Sequence, residues 1–286
     1  MFGDTMQFLN VPKKDVDLEV IRAFIDDENP RRINFASHHS NALKRSDKDG
    51  VVGRIVLPFD ETIEPIARRC LRMDRFLFPS RFGNSFYRQI HNEKEYQQIA
   101  AFVEQVRDMV FLRDTLDLSL ALSMHETEPG QRTTLGEHEY QVKYQQGNKD
   151  IAEDLAALTA ELQHRLDELP YFKLADYVCA VPSSKPFMRE IIGSLEGFSF
   201  TDISAQVSWD NKNGSLKNVE TADEKLDMIQ SWGFRIAEGA DLKGKTILLL
   251  DDMYQSGVTM QYVAMRLKES GAKRVFGIAI VKSLGN

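Results

Sequence analysis

Cysteine is scarce in this chain, whose 286 residues include only Cys70 and Cys179. Two cysteines cannot build a disulfide-rich secreted scaffold or a four-cysteine zinc site, and their scarcity favours a reducing compartment. The six histidines are scattered singly except for the adjacent His38 and His39, and none has a CxxC or HExxH partner. The sequence therefore contains no motif for a metal ion that the protein itself coordinates.

Long apolar runs and excess positive charge are also missing. No segment approaches the ~18 apolar residues of a membrane span, and the opening residues MFGDTMQFLN lack the pattern of a signal peptide. The formal net charge is −7, from 36 Lys and Arg against 43 Asp and Glu. This balance argues against bulk electrostatic binding of nucleic acid, although a local basic patch is compatible with it. We expect a soluble cytoplasmic protein with no membrane partner.

The composition does provide for a folded core, because 42% of the residues are hydrophobic and 17 are phenylalanine. A chain of this length suits two domains. We expect an N-terminal α+β domain over residues 1–128, a linker or hood over 129–148, and an α/β domain over 149–286. The turn-forming residues of His125–Glu137 favour the linker, and the apolar stripe of Lys149–Leu169 predicts a helix.

The stretch GADLKGKTILLLDDMYQSGVT, residues Gly239–Thr259, contains two candidate phosphate sites. Its first eight residues match the P-loop pattern G-x-x-x-x-G-K-[ST]. A P-loop follows a strand and opens a helix, whose N-terminus directs backbone N–H groups at the phosphates. Here Gly244–Thr246 runs directly into the apolar Ile247–Leu250, which predicts a strand. We therefore interpret LKGK as a turn that leads into this strand and reject a nucleotide triphosphatase.

The second candidate has the required order of strand, loop and helix. After Ile247–Leu250 come two acids, the loop MYQSG, and a predicted helix, followed by the buried strand Val275–Val281. The helix shows one apolar face at i, i+3, i+4, i+7 spacing, made of Met260, Val263, Ala264 and Leu267. The acids can accept hydrogen bonds from sugar hydroxyls, and the helix opening Ser256–Thr259 can hold one phosphate. This pattern predicts a βαβ unit that binds a 5-phosphoribosyl group.

The segment ILLLDDMYQSGVT resembles the phosphoribosyl-pyrophosphate (PRPP) loop of the type I phosphoribosyltransferases. The similarity covers roughly 177–286 and is closest to the ComF-like, competence-associated branch, which has a G-K-x-h-L-L-h-D-D-h-Y segment. It implies a doubly wound, mostly parallel sheet with flanking helices, and Mg²⁺ held through the diphosphate. It further implies that the ribose hydroxyls are held by Asp251 and Asp252. The 5′-phosphate would be held by Ser256, Gly257, Val258 and Thr259, with Tyr254 and Gln255 in the same loop.

A pyrophosphate loop is expected from the same resemblance, after the first core strand. The run YVCAVPSSKP, Tyr177–Pro186, is apolar and then breaks into a Ser-Ser-Lys turn. Ser183, Ser184 and Lys185 would supply two hydroxyls and one cation to the pyrophosphate, although a surface turn has the same composition.

The polar stretch from Ser208 to about Lys225 resembles the mobile loop that closes over PRPP in this family. Lys212 and Lys217 are its candidates for contact with the diphosphate, and a solvated surface loop would also carry lysines. Neither lysine is singled out by the sequence.

Two functional interpretations remain open. The first is an enzyme that transfers phosphoribose from PRPP to an unidentified nitrogen nucleophile and releases pyrophosphate, a pentosyl transfer. The second is a module that senses PRPP or a phosphorylated ribose without turnover, while the N-terminal region binds a protein or nucleic acid. Gln255 favours sensing, because purine-salvage members often carry an acidic general base there and a carboxamide cannot accept the proton. The intact acids and the Ser-Ser-Lys loop favour the enzyme, which we prefer; a homo-oligomer is compatible with both.

The N-terminal region resembles no family that we identify. Its patterns predict strands at Gly53–Phe59 and Asp117–Met124 and a helix at Tyr96–Phe111. Aromatic residues alternate with arginines in RMDRFLFPSRFGNSFYRQ, Arg72–Gln89. This segment suits single-stranded nucleic acid, a protein interface, or buried phenylalanines with solvated arginine heads, and we favour the last.

Overall fold

The computed structural model of the protein describes residue 8 and the ranges 11–27, 29–37, 42–81, 83–144, 151–185, 187–216 and 219–285. The elements before residue 130 are α1 (Leu18–Asp26), β1 (Arg32–Asn34), β2 (Leu43–Arg45), β3 (Gly53–Leu57), α2 (Ile63–Leu71), β4 (Phe78–Pro79), β5 (Phe86–Ile90), α3 (Glu93–Gln105), β6 (Val110–Leu112), β7 (Leu118–Met124) and β8 (Glu126–Glu128).

The later elements are β9 (Gln131–Arg132), α4 (Thr134–Tyr144), α5 (Ala152–Glu168), β10 (Tyr177–Ala180), α6 (Phe187–Gly193), β11 (Thr201–Asp202), β12 (Val207–Trp209), α7 (Ala222–Ser231), β13 (Phe234–Ile236), β14 (Thr246–Tyr254), α8 (Val258–Glu269) and β15 (Arg274–Lys282). Within the described ranges, none of these helices has both the length and the apolarity that crossing a membrane requires.

A seven-stranded sheet forms the centre of the molecule, in the order β1-β6-β7-β15-β14-β10-β11. The five strands from β7 to β11 are parallel to their neighbours, and β6 and β1 extend the sheet with antiparallel pairing. Helices cover both faces: α1, α7 and α8 pack on one, and α4, α5 and α6 on the other. This mostly parallel sheet with flanking helices confirms the predicted α/β fold class.

The apolar runs form central strands because parallel strands are buried on both faces. Along β14, Ile247 and Leu249 join the core beneath α8, whereas Leu248 and Leu250 join the core beneath α5 and α6. All four side chains are fully buried. The turn at Gly244 has a φ of +75° and leads into β14 rather than into a helix, which confirms the rejection of the P-loop.

The central sheet crosses the domain boundary expected at residue 128. Strand β7 pairs in parallel with β15, with Leu120 opposite Ile278, so a strand of the expected N-terminal domain completes the C-terminal sheet. The segment His125–Glu137, expected to be a linker, forms the β8–β9 hairpin and the start of α4 instead. Its first residue donates a backbone hydrogen bond to Lys282 O at 2.7 Å, which ties the hairpin to β15.

Two predicted helices have different bounds in the structure. The helix expected over Tyr96–Phe111 is α3, which ends at Gln105, and its last predicted residues belong to β6. Those residues leave the helix because Phe111 pairs with Leu120 of β7. The helix expected over Lys149–Leu169 is α5, and residues 149 and 150 lie outside the described residues.

A second, smaller sheet holds the basic and aromatic segment of the N-terminal region. Its four antiparallel strands run in the order β2-β3-β5-β4. Phe76, two residues before Phe78, is fully buried, whereas Phe78 within β4 is 42% exposed. The interpretation of buried phenylalanines is therefore right for Phe76, whose ring centre lies 6.1 Å from that of Phe102 in α3. It is wrong for Phe78, whose ring stays exposed beside the Arg75 guanidinium group.

Candidate functional site

The two loops that the sequence selects meet at one point of the central sheet. After β10 the chain moves outward to β11 and then returns as β14 on the other side of β10. Such a reversal creates a crevice at the carboxyl ends of the two strands. Because β10 and β14 are adjacent, Val181 N–H donates to Leu250 C=O at 2.8 Å, and the loops that follow the two strands lie side by side.

The phosphate turn predicted at Ser256–Thr259 opens α8. Gly257 is its N-cap residue with a φ of +77°, and as a glycine it has no side chain with which to cap the first turn. The first N–H groups of a helix have no intrahelical partner and carry the positive end of the helix dipole. The turn lines a cavity of about 170 Å³ together with Asp251 and Lys212. This arrangement leaves the N–H groups of the turn available to an anion in that cavity.

Tyr254 supports this turn from beneath. A Cβ atom placed on Gly257 would lie 2.1 Å from the Tyr254 hydroxyl oxygen, so the backbone of the turn rests directly on the phenol. That hydroxyl donates a hydrogen bond to Asp114 Oδ2 at 3.0 Å, and both side chains are buried. Burial raises the pKa of Tyr254, and the neighbouring Asp114 carboxyl raises it further. The neighbouring Gln255 is exposed.

The acids belong to strand β14 rather than to the loop expected after Leu250. The ladder continues past them because Asp251 pairs with Ala279 and Tyr254 with Lys282. Asp251 lines the cavity, and its Oδ1 accepts the Asp252 N–H at 3.0 Å. Burial raises the pKa of Asp251 well above its usual range, and the adjacent Asp252 adds to this effect.

Asp252 is held by a cation from helix α4. Lys143 Nζ lies 2.6 Å from Asp252 Oδ2 and 3.2 Å from Glu139 Oε1. Burial alone would lower the pKa of Lys143, but Asp252 and Glu139 raise it. The Glu139 side chain is fully buried, and burial raises its pKa to about 7 despite the nearby ammonium group. A second residue, His125, lies behind it, with Nε2 3.6 Å from Glu139 Oε2.

The predicted pyrophosphate loop lines a second cavity of about 440 Å³. Ser183 and Ser184 are exposed, and Lys185 is half-buried. The Lys185 ammonium donates to the Lys143 carbonyl and lies 4.7 Å from the centre of the Tyr144 ring. Helix α4 therefore contacts both the pyrophosphate loop and the acid pair.

Lys212 lies between the two cavities and lines both. Its Nζ is 3.4 Å from Pro182 O and 5.2 Å from the centre of the Trp232 ring. Burial lowers the pKa of Lys212, and this effect outweighs the opposite effect of Asp251 and Asp252, which raise it. The loop that carries it starts after β12, whose Trp209 Nε1 donates to Pro182 O at 2.9 Å. Lys217 lies outside the described residues.

The site offers oxygen ligands to a divalent cation but not a complete set. Among the residues that the structure describes, no group of three or more His, Cys, Asp or Glu is placed to hold a metal ion. Asp251 and Asp252 nonetheless present adjacent carboxylates, the ligand type that Mg²⁺ prefers. Because Lys143 already binds Asp252, a magnesium ion here would have to take most of its ligands from groups other than these carboxylates.

Fold and site together define a doubly wound α/β domain in which a helix opening lines a cavity at the topological switch point. The family model described as "Phosphoribosyl transferase domain" matches residues 178–283, from β10 to just beyond β15. The match supports a type I phosphoribosyltransferase domain in the C-terminal region. No curated protein matches the chain.

Several parts of the arrangement lie outside the matched range, among them strand β7, Asp114 and Lys143. Sequence reasoning did not select either side chain. Asp114 shows no motif, and Lys143 is one of many lysines, in a segment expected to be a linker or hood. Only the fold brings them to the site.

Proposed function

We propose that the protein binds PRPP with Mg²⁺ at the carboxyl ends of β10 and β14 and transfers its phosphoribosyl group to a nitrogen nucleophile, releasing pyrophosphate. The observation that carries this proposal is the juxtaposition of an uncapped helix turn and a carboxylate, Asp251, in one cavity. A phosphate bound at the turn would bring its attached ribose close to Asp251, which lines the same cavity. The family match supports a phosphoribosyl transfer function in general, and the ligand, the metal ion and the nucleophile are proposals.

The 5′-phosphate is assigned to Ser256–Thr259, where backbone N–H groups and two hydroxyls supply donors without any basic side chain. The ribose hydroxyls are assigned to Asp251 and Asp252. Asp252 binds Lys143 through Oδ2, which leaves Oδ1 as the acceptor for a hydroxyl. The adjoining cavity would take the diphosphate, where Ser183, Ser184 and Lys185 supply donors.

Transfer breaks the bond between ribose C1′ and the diphosphate oxygen, whose electron pair leaves with the pyrophosphate, and forms a bond from C1′ to the acceptor nitrogen. The nitrogen loses its proton to the released pyrophosphate or to water. When bound, Mg²⁺ would neutralise the departing diphosphate. The chain contributes Lys185 and Lys212 on the diphosphate side and carboxylates on the side where the ribose becomes positively charged. Fixed charges of this kind stabilise an oxocarbenium-like transition state. We assign no general base, because Gln255 cannot accept a proton.

A sensing module is the second candidate, and two observations favour it. Gln255 replaces the acid that often serves as base, and Lys143 already neutralises Asp252. Both features permit binding without turnover. We also propose that the C-terminal region belongs to the ComF-like branch, on the basis of the segment Gly244–Tyr254. We further propose that the N-terminal region binds a partner.

One experiment distinguishes the candidates. The protein is incubated with PRPP and Mg²⁺ and a panel of nucleobases and amines, while pyrophosphate release and thermal stabilisation are recorded. Release that disappears in the Asp251→Asn/Asp252→Asn variant supports the transferase, and stabilisation without release supports the sensor. Lys173→Ala, an exposed site remote from the acids in sequence, serves as the control. If neither pyrophosphate release nor thermal stabilisation is observed, both candidate functions are refuted.

A further inference from the structure

One face of the four-stranded sheet carries a combination of side chains that the proposed transfer reaction does not use. Directly opposed residues of antiparallel strands share a face. Lys44 lies opposite Arg54, and Arg54 lies opposite Gln89. Two residues further along β3, Val56 lies opposite Tyr87, which in turn lies opposite Phe78. The face, called here the outer face, consists of Lys44, Arg54, Val56, Phe78, Tyr87 and Gln89.

The other face of this sheet is packed against the protein, so the outer face is the one turned to solvent. On the packed face Ile55 is fully buried, and Arg88 pairs with Glu95 of α3 at 2.6 Å. On the outer face Val56 and Phe78 are 41% and 42% exposed. Tyr87 lies between these two side chains on β5, so the three form one apolar row, and a contiguous exposed apolar patch marks an interaction surface.

The charge of the outer face has one sign. The four strands contain no Asp or Glu, although acids outnumber basic residues in the chain as a whole. Lys44 and Arg54 are exposed. A third cation, Arg75, holds its guanidinium group 5.0 Å from the centre of the Phe78 ring. The outer face is therefore a local basic patch on an acidic protein, and it favours a polyanionic partner.

Aromatic rings beside cations suit unpaired bases in particular. Bases stack on aromatic side chains whatever their sequence, while Lys and Arg contact the phosphates between them. Strands in a sheet lie about 4.8 Å apart, so the row of Val56, Tyr87 and Phe78 spans about 10 Å. The row of Lys44, Arg54 and Gln89 runs beside it, about 7 Å further along the strands. In a base-paired duplex the bases stack on one another, so a duplex would contact only the cations of the outer face and not its aromatic rings.

We propose that the outer face binds single-stranded nucleic acid, with Tyr87 and Phe78 stacking on bases and Lys44, Arg54 and Arg75 contacting phosphates. This inference is independent of the proposed function, since none of these residues lies at the carboxyl edge of the central sheet.

The test is fluorescence anisotropy with labelled oligo(dT) and oligo(U) of about 20 nucleotides and a DNA duplex of equal length, at about 50 and 200 mM salt. We expect the full chain to bind both single strands more tightly than the duplex. Tyr87→Leu, which keeps the apolar volume without the ring, should weaken binding about tenfold, whereas Tyr87→Phe should retain it. Arg54→Ala should weaken binding to every sequence and reduce the salt slope by about one.

Leu174→Ala and Lys173→Ala are matched controls, because Leu174 is also a large apolar side chain exposed to 40% and Lys173 is an exposed cation beside it. Both should bind as the wild type does. Circular dichroism verifies that each variant is folded, and Phe78→Leu repeats the stacking test on another strand. No anisotropy change at low salt, or equal affinity of the Leu and Phe variants at Tyr87, would overturn the proposal and assign the face to a protein partner.

Discussion

Substitution of Gly257 tests how the phosphate turn is built. At a φ of +77° any residue with a Cβ is strained, and left-handed backbone costs about 1–2 kcal/mol. The new methyl group would also lie 2.1 Å from the Tyr254 hydroxyl oxygen, which is too close for any real contact. Overpacking of this kind costs about 1–3 kcal/mol. Gly257→Ala should therefore lower the free energy of unfolding by about 2–5 kcal/mol.

Gly197→Ala separates the two contributions. Gly197 has nearly the same φ, +78°, but a Cβ atom there would meet nothing within 4 Å. The control should show only the backbone cost, and the difference between the variants in urea unfolding measures the contact with Tyr254. In calorimetry with ribose 5-phosphate, Gly257→Ala should lose binding and Gly197→Ala should keep it. Equal stabilities, with ribose 5-phosphate bound by both, would refute this account of the turn.

Three further substitutions test the buried polar groups around the site. Tyr254→Phe deprives the buried Asp114 carboxyl of a donor and should destabilise the protein by about 2 kcal/mol in urea unfolding; no change would show that the hydrogen bond contributes nothing. Glu139 has a folded-state pKa of about 7 against an ordinary 4.5, so its contribution to stability should fall as the pH rises through that interval. The free energy of unfolding of Glu139→Gln relative to wild type should thus increase by about 3 kcal/mol as the pH rises from about 4.5 to about 7. A difference that does not change with pH would contradict the raised pKa of Glu139. Lys143→Met leaves two carboxylates without their cation and should cost about 3 kcal/mol at neutral pH, whereas an unchanged melting temperature would mean that the Asp252 pair is unimportant.

The parts of the fold that the sequence predicts well are local. The strand at Ile247–Leu250, the helix with Met260 and Val263 on its buried face, and the strand at Val275–Val281 are contiguous patterns. All three exist, although the first strand continues to Tyr254. Such patterns depend only on neighbouring residues. The residue assignments within the site remain predictions, although the structure brings the two selected loops together.

The parts that could not be predicted depend on contacts between distant segments. The sequence of β7 is typical of any buried strand. Nothing in it indicates that β7 pairs with β15 rather than with a strand of a separate domain. The Asp251–Tyr254 segment resembles a loop because it is polar, but pairing with β15 keeps it extended. Lys143 acquires its role only because α4 packs against the sheet beside Asp252.

The most direct test of the central claim is a crystal structure of the protein soaked with PRPP and Mg²⁺. The account predicts the 5′-phosphate within hydrogen-bond distance, about 3 Å, of the N–H groups at Val258 and Thr259. The ribose hydroxyls should face Asp251, and the diphosphate should lie against Ser183, Ser184 and Lys185. A phosphate bound elsewhere, or a soaked crystal whose Ser256–Thr259 turn binds no anion, would contradict it.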